Sequence, residues 1–233
     1  RLINMKGRLA SELDAWLEQL KLLRRTRIFV FASLDINFNE DSLARLLQGL
    51  PGSVQGLELQ SYACNLKSFP VTFLPKSCQA FGTIVLHREG MPSSLHVMEF
   101  ISEFPSFPEH VKLVRASLGT DGCWMLPPQT IGEVLTSKFP GLAVLQLELY
   151  LRAQAKSATD TPFVELTRYL VGLDIRVEVT DVRCRPAQCE FLRAALAHAG
   201  AVVYDSEGER GAMYPFSNPR CAWQWPWVAT AER

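Results

Sequence analysis

Long apolar runs, an excess of either charge and paired cysteines are all missing from this sequence of 233 residues. No apolar stretch approaches the ~20 residues that carry a helix across a bilayer, so no membrane span is expected. Basic and acidic residues number 24 each. A chain that works on phosphate backbones carries a basic excess, so nucleic acid is not an expected partner. The cysteines Cys64, Cys78, Cys123, Cys184, Cys189 and Cys221 form no CxxC pair. Cys184 and Cys189 have no second pair or histidine cluster with which to complete a zinc site. Scattered beside apolar runs, the six are expected to be free thiols in a reducing compartment. No secretory signal opens the chain. The expected location is intracellular, the cytoplasm first. The start at Arg1 rather than Met keeps an organelle open, through a trimmed leader.

Signatures of chemistry are equally scarce. There is no G-x-S-x-G elbow, no P-loop and no G-x-G-x-x-G turn. The histidines His87, His96, His110 and His198 are not grouped. Gly119-Thr-Asp-Gly122 reads as a turn, and Asp160-Thr-Pro162 as a helix start. No catalytic residue, metal ligand, cofactor or small-molecule ligand is predicted, and the chain reads as a non-enzyme.

What the sequence does have is a rhythm. Strand-like runs are centred on Ile28–Phe31, Gly56–Leu59, Thr83–Leu86, Leu113–Ala116, Val144–Leu147, Asp174–Val177 and Ala201–Val203. They recur at a mean spacing of about 29 residues, within the range that marks repeat arrays. Helix-like segments lie between them: 41–50, 94–104, 128–139, 162–173 and 187–199. Asp41 or Ser42 suits a helix N-cap, Pro128 and Pro162 suit a first turn, and Gly200 suits a helix end. Pro70 and Pro75 predict an irregular or 3₁₀ segment over 66–78. The chain divides into a helix that caps the array at 1–25, a β/α array over 26–206, and a Trp/Pro-rich cap or docking tail at 207–233. The helix is carried by Leu2, Met5, Leu9, Leu13, Trp16, Leu17 and Leu20 at three- and four-residue spacing. The tail holds Tyr214, Phe216, Trp223, Trp225 and Trp227 among Pro215, Pro219 and Pro226.

Strand–helix alternation suits either a doubly wound sheet or a solenoid. A parallel sheet covered on both faces reads as nearly continuous apolar residues. Here Leu57-Glu-Leu-Gln60, Leu145-Gln-Leu-Glu148 and Ile175-Arg-Val-Glu178 alternate, which predicts one oily face and one wet face. The fold class expected is α/β: parallel strands on a concave side and helices on a convex side.

Val54-x-x-Leu57-x-Leu59, Leu142-x-x-Leu145-x-Leu147, Phe81-x-x-Ile84-x-Leu86 and Val111-x-x-Val114-x-Ala116 match the first half of the pattern L-x-x-L-x-L-x-x-N/C-x-L. The phrases LLQGLPGSVQGLEL and VLTSKFPGLAVLQL also resemble each other. On these residues the chain resembles the leucine-rich-repeat superfamily, in its ribonuclease-inhibitor-like branch with degenerate repeats. The Asn/Cys position falls on Leu34, Tyr62, Glu89, Gly119, Tyr150, Thr180 and Ser206, so the family's Asn ladder is absent. The resemblance implies a solenoid scaffold for protein–protein interaction.

On that reading the wet face carries two rows. One is Val30, Glu58, Val85, Arg115, Gln146, Arg176 and Val202; the other is Ala32, Gln60, His87, Ser117, Glu148, Glu178 and Tyr204. The candidate partner-binding residues are Glu58, Gln60, His87, Arg115, Ser117, Gln146, Glu148, Arg176 and Glu178. Their mixed charge suits another protein better than DNA. Two other functions stand beside this one. The first is a structural subunit of a large assembly, organellar or otherwise. The second is an enzyme with a doubly wound α/β fold, its ligand beyond the strand ends.

Overall fold

The computed structural model describes residues 2–5, 9–22, 26–32, 39–60, 68–84, 102, 104–120, 127–151, 161–183 and 186–204. Eight strands form one sheet: β1 (Leu2–Met5), β2 (Ile28–Ala32), β3 (Gly56–Gln60), β4 (Ala80–Ile84), β5 (Leu113–Thr120), β6 (Val144–Leu151), β7 (Arg176–Arg183) and β8 (Val202–Val203). Every neighbouring pair is parallel, and the strands lie in the order of the sequence. The described helices are α1 (Leu9–Leu20), α2 (Glu40–Gln48), α3 (Pro128–Lys138), α4 (Thr161–Gly172) and α5 (Pro186–His198), with a 3₁₀ turn at Val71–Phe73. A doubly wound sheet reverses its strand order at a switch point. This sheet has no reversal, so the doubly wound alternative does not describe it.

One core joins every described helix to one face of the sheet. Leu13 and Leu20 of α1, Leu43, Leu46 and Leu47 of α2, Leu135 of α3, Leu166 and Leu170 of α4, and Leu192 and Leu196 of α5 are all buried in it. They meet Leu57, Phe81, Val114, Leu145 and Val177, which are register partners across β3 to β7. Strand side chains alternate sides, so this shared register puts the helices on the same side of the sheet. Helices pack on their sequence neighbours: α1 on α2, α3 on α4, α4 on α5. An aromatic spine ties the middle units together. Phe69, Phe81, Phe104, Phe107 and Phe139 stack with ring centroids from 4.4 Å for Phe107–Phe139 to 6.3 Å for Phe104–Phe107.

A recurring junction sets the register. In Leu50-Pro51-Gly-Ser-Val54, Leu74-Pro75-Lys-Ser-Cys78 and Phe107-Pro108-Glu-His-Val111, the last amide donates to the proline carbonyl, at 3.0, 2.8 and 2.9 Å. Both apolar ends of each phrase are buried. The carbonyl just before each strand then accepts two amides of the next unit. Arg27 O takes Gln55 and Gly56, Gln55 O takes Gln79 and Ala80, Gln79 O takes Lys112 and Leu113, and Lys112 O takes Ala143 and Val144. Serine hydroxyls add a second tie. Ser53 Oγ donates to Thr26 O at 2.8 Å, and Ser77 Oγ to Val54 O at 2.6 Å. These groups satisfy buried carbonyls between successive units without an Asn ladder. At Gly141 the neighbouring backbone comes so close that an added Cβ would sit 2.0 Å from the Glu109 carbonyl oxygen.

Several expectations shift. Residues 2–5 form an edge strand instead of the first turn of a capping helix, and α1 covers only Leu9–Leu20. Leu2 and Met5 fit the helical period while Ile3 and Met5 fit a strand, and the edge of β2 decides the matter by offering Leu2–Met5 a ladder. The fourth strand starts at Ala80, ahead of the expected run, because the Pro75 turn places Phe81 where Leu57 and Val114 stand. The seventh starts at Arg176, because Asp174 sits in a left-handed turn at φ 64. Asn39 caps α2, its Oδ1 accepting from Ser42 N at 2.9 Å, where Asp41 or Ser42 was expected to cap. Helices α3, α4 and α5 fall where predicted. The 94–104 helix lies almost wholly outside the described residues, and the aromatic tail at 207–233 lies entirely outside them.

Two helices end alike. Ile175 N–H reaches Leu170 O and Asp174 N–H reaches Val171 O, while Ala201 N–H reaches Leu196 O and Gly200 N–H reaches Ala197 O. These are paired Schellman closures, with Asp174 and Gly200 (φ 98) at the left-handed position. Left-handed backbone costs an L-residue about 1–2 kcal/mol. Asp174→Gly is expected to raise stability by roughly 0.5–1 kcal/mol, and Gly200→Ala to lower it by about 1 kcal/mol or more. Urea midpoints at unchanged m-value read both; equal and opposite signs are the expected outcome, and loss on Asp174→Gly would contradict the assignment.

Candidate functional site on the sheet face opposite the described helices

Alternation sends Leu57, Val114, Leu145 and Val177 toward the helices and their neighbours to the other face. On that face the register joins Val30, Glu58, Gly82, Arg115, Gln146, Glu178 and Val202 in one row. Beside it, Ala32, Gln60 and Ile84 align across β2 to β4. Ser117, Glu148 and Asp181 align across β5 to β7.

Eight of the nine predicted residues are strand positions, seven within these rows and Arg176 at their edge, and two change places. Glu178 belongs with Gln146 instead of Glu148, and Arg176 pairs with Val144 one row nearer the strand starts. The cause is that β7 begins later than the sequence pattern implied; beyond Glu178, a bulge at Leu147/Glu148 skips Thr180 and puts Asp181 opposite Glu148. Gly82 fills the place expected of Val85. His87 and Val85 lie outside the described residues, and for Gln60 and Ser117 only the backbone is described.

The second difference is burial. The sequence predicts solvated positions, yet Glu58, Arg115, Gln146, Glu148 and Glu178 are all less than one-tenth exposed. Arg176 keeps 57% of its side chain exposed. Alternation says which face a side chain takes; it does not say what lies over that face.

Buried polar groups persist when their partners are fixed. Arg115 Nη2 donates to Glu148 Oε1, linking β5 to β6. Gln146 Nε2 donates to Glu178 Oε2 at 2.9 Å, linking β6 to β7. Arg176 Nε donates to Glu178 Oε1, also at 2.9 Å. Both Glu178 oxygens are therefore engaged. The carboxylates are held as acceptors, and no nucleophile–base pair stands among the described side chains of these rows. Among the described residues no group of three or more His, Cys, Asp or Glu side chains is placed to hold a metal ion. No described helix is long and apolar enough to cross a membrane. A fixed array of both charge signs, with forked Arg geometry, suits recognition of complementary polar groups.

Cys78 offers no thiol chemistry. It is fully buried at the foot of β4, its Sγ 3.4 Å from Ala80 O. Burial pushes the thiol up to about 12, against a partial lowering by backbone hydrogen bonds from the Ala80 and Leu57 positions. The folded chain therefore keeps this proton where the unfolded chain, at the ordinary value of 9.0, releases it. Stability from this group is complete below pH 9.0 and declines toward pH 12. Cys78→Ala removes that alkaline slope; an identical slope in the variant would contradict the burial argument.

The row also makes an energetic prediction. Removing one partner of a buried ion pair costs about 3–5 kcal/mol, while replacing both with apolar residues is often neutral. Arg115→Met alone is expected to destabilise by about 3 kcal/mol, and Arg115→Met with Glu148→Leu to recover most of the loss. A double-mutant cycle in urea measures the coupling; strict additivity would show that the pair is not a unit.

No protein-family model matches this chain, and no curated protein sequence matches it.

Proposed function

We propose that this chain is a non-enzymatic protein–protein interaction module: a leucine-rich-repeat-like solenoid that receives another protein on its concave face, opposite the described helices. The observation that carries this reading is a polar row of both charge signs on the side of a sequentially ordered parallel sheet that no described helix covers. Support comes from three sides. Packing joins sequence neighbours, as in quasi-one-dimensional arrays. The proline junction recurs at Pro51, Pro75 and Pro108, each time feeding the next strand. The N-terminal β1–α1 pair has the strand and helix of a further unit, so the array begins before residue 26.

The buried part of the row organises the face, and the accessible part touches the partner. Arg115, Gln146, Glu148 and Glu178 hold neighbouring strands in fixed relation; Arg176 reaches solvent from the same face. Reversing a buried charge would unfold the protein, so the test belongs at the rim.

A binding partner purified with the protein from its native source, and re-measured with pure components, supplies the test. Arg176→Glu is expected to weaken that complex at least tenfold. Glu165→Lys with Arg168→Glu, both exposed on α4, is expected to leave it unchanged. The reverse pattern would move the interface to the helices and defeat the proposal.

A further inference from the structure

We infer that two copies of this chain pair through the outer side of α5, across a two-fold axis that joins the two arrays end to end. This surface is separate from the sheet face opposite the described helices, so the inference stands or falls independently of the proposed function.

The outer side of α5 can be read from α4. Val171 lies against Gly200, and Val164 and Thr167, one and two turns earlier, are buried on the same side of α4. The two helices end in matching closures, with Leu196 in the place of Leu170. The positions on α5 that answer to Val164, Thr167 and Val171 are therefore Glu190, Arg193 and Ala197. They point away from α4, to where a further unit would pack. Glu190, Ala194 and Ala197 are exposed, and Arg193 is half-buried. Among the described residues β8 has a ladder partner on one side only, β7.

Charge and spacing on this stripe suit a second copy of itself. Helices related by a two-fold axis normal to the sheet run antiparallel, and each contact occurs twice. With the axis between positions 191 and 192, Glu190 of each copy stands opposite Arg193 of the other, which gives two reciprocal ion pairs. That axis falls at the middle of α5, whose 13 residues run from Pro186 to His198, so the helices overlap along their whole length. A guanidinium carries five donors, so contacts made within the chain leave others for this second carboxylate. Ala194 and Ala197 add no bulk, and helix axes can approach to about 8–10 Å.

The strand layer agrees. The same axis sets two β8 edges side by side and antiparallel. An edge kept from association carries lysine or other charge, or a proline. Val202-Val203-Tyr204 carries neither, and Val202 and Tyr204 are exposed. A polar outer helix also serves the solubility of a terminal repeat. Solubility asks neither for an uncharged edge nor for opposite charges at mirrored positions. Phe191 and Leu173 are more exposed still, at 66% and 48%, but they lie off the stripe. Phe191 answers to the exposed Glu165 on the convex side, and Leu173 follows the end of α4. An α5 pair with two short edges is a small interface, of the class below about 1,200 Å² that dissociates readily.

Sedimentation velocity of the full chain over a wide concentration range tests this. A reversible monomer–dimer equilibrium is expected. Glu190→Arg and Arg193→Glu, each alone, set like charges opposite one another and are expected to weaken dimerisation by roughly tenfold or more. Mixed in equal amounts, the two variants are expected to form a heterodimer, because each stripe then meets the opposite charge. Phe191→Ser is expected to leave the equilibrium unchanged. A chain that stays monomeric at every concentration overturns the inference, as does an open series of oligomers, the mark of head-to-tail growth. Failure of the heterodimer while both variants keep the parent's circular dichroism overturns it too. So does loss of the dimer on Phe191→Ser, which moves the contact to the convex surface. Should Arg193→Glu fail to fold, the exposed Ala197→Arg takes its place: it is expected to weaken the dimer several-fold by bulk, and unchanged dimerisation overturns the inference.

Discussion

The carbonyl that precedes each strand is the joint on which this structure depends. A parallel strand cannot be reached by a tight turn, so each unit must leave the sheet, pack and return in register. The return is fixed where Arg27, Gln55, Gln79 and Lys112 each accept two amides from the unit that follows. Proline turns deliver the chain to that point, and Ser53 and Ser77 add a hydroxyl to the preceding unit's carbonyl. Because these four junctions repeat the same geometry, strand order follows sequence order from β2 to β6. The described helices then gather on the face that holds Leu57, Phe81, Val114, Leu145 and Val177, and the other face holds Glu58, Arg115, Gln146 and Glu178.

Much of this was legible in the residues, for identifiable reasons. Helices α3, α4 and α5 announce themselves because apolar spacing and a helix-start proline agree locally. The strands β3, β5 and β6 show in their Leu/Val alternation. What failed were places where two periods or two registers compete. Leu2 and Met5 suit a helix while Ile3 and Met5 suit a strand, and only a partner strand decides. In β4 the weak alternation of Ala80-Phe-Gly-Thr-Ile84 hid a register that Pro75 dictates. In β7 the left-handed turn at Asp174 delays the strand, which moves Glu178 and Arg176 by two positions; the bulge between Leu147 and Glu148 then brings Asp181 opposite Glu148.

The candidate site shows the same division. Its residues were readable as one face, because a period of two fixes the side of a strand. Their burial was not, because covering a face is a tertiary event. That burial changes their physical meaning. Solvated charges in these positions would contribute little and vary freely. Enclosed and paired, Arg115–Glu148 and Gln146–Glu178 lock adjacent strands.

Scalar couplings across hydrogen bonds, measured by NMR on the labelled protein, test the sequential array most directly. The Gln55 carbonyl should couple to the amides of Gln79 and Ala80, Gln79 to Lys112 and Leu113, and Lys112 to Ala143 and Val144. Couplings that join units distant in the sequence, such as Gln55 with Ala143, would establish another strand order. The one-sided helix layer and the face opposite the described helices would then be contradicted together.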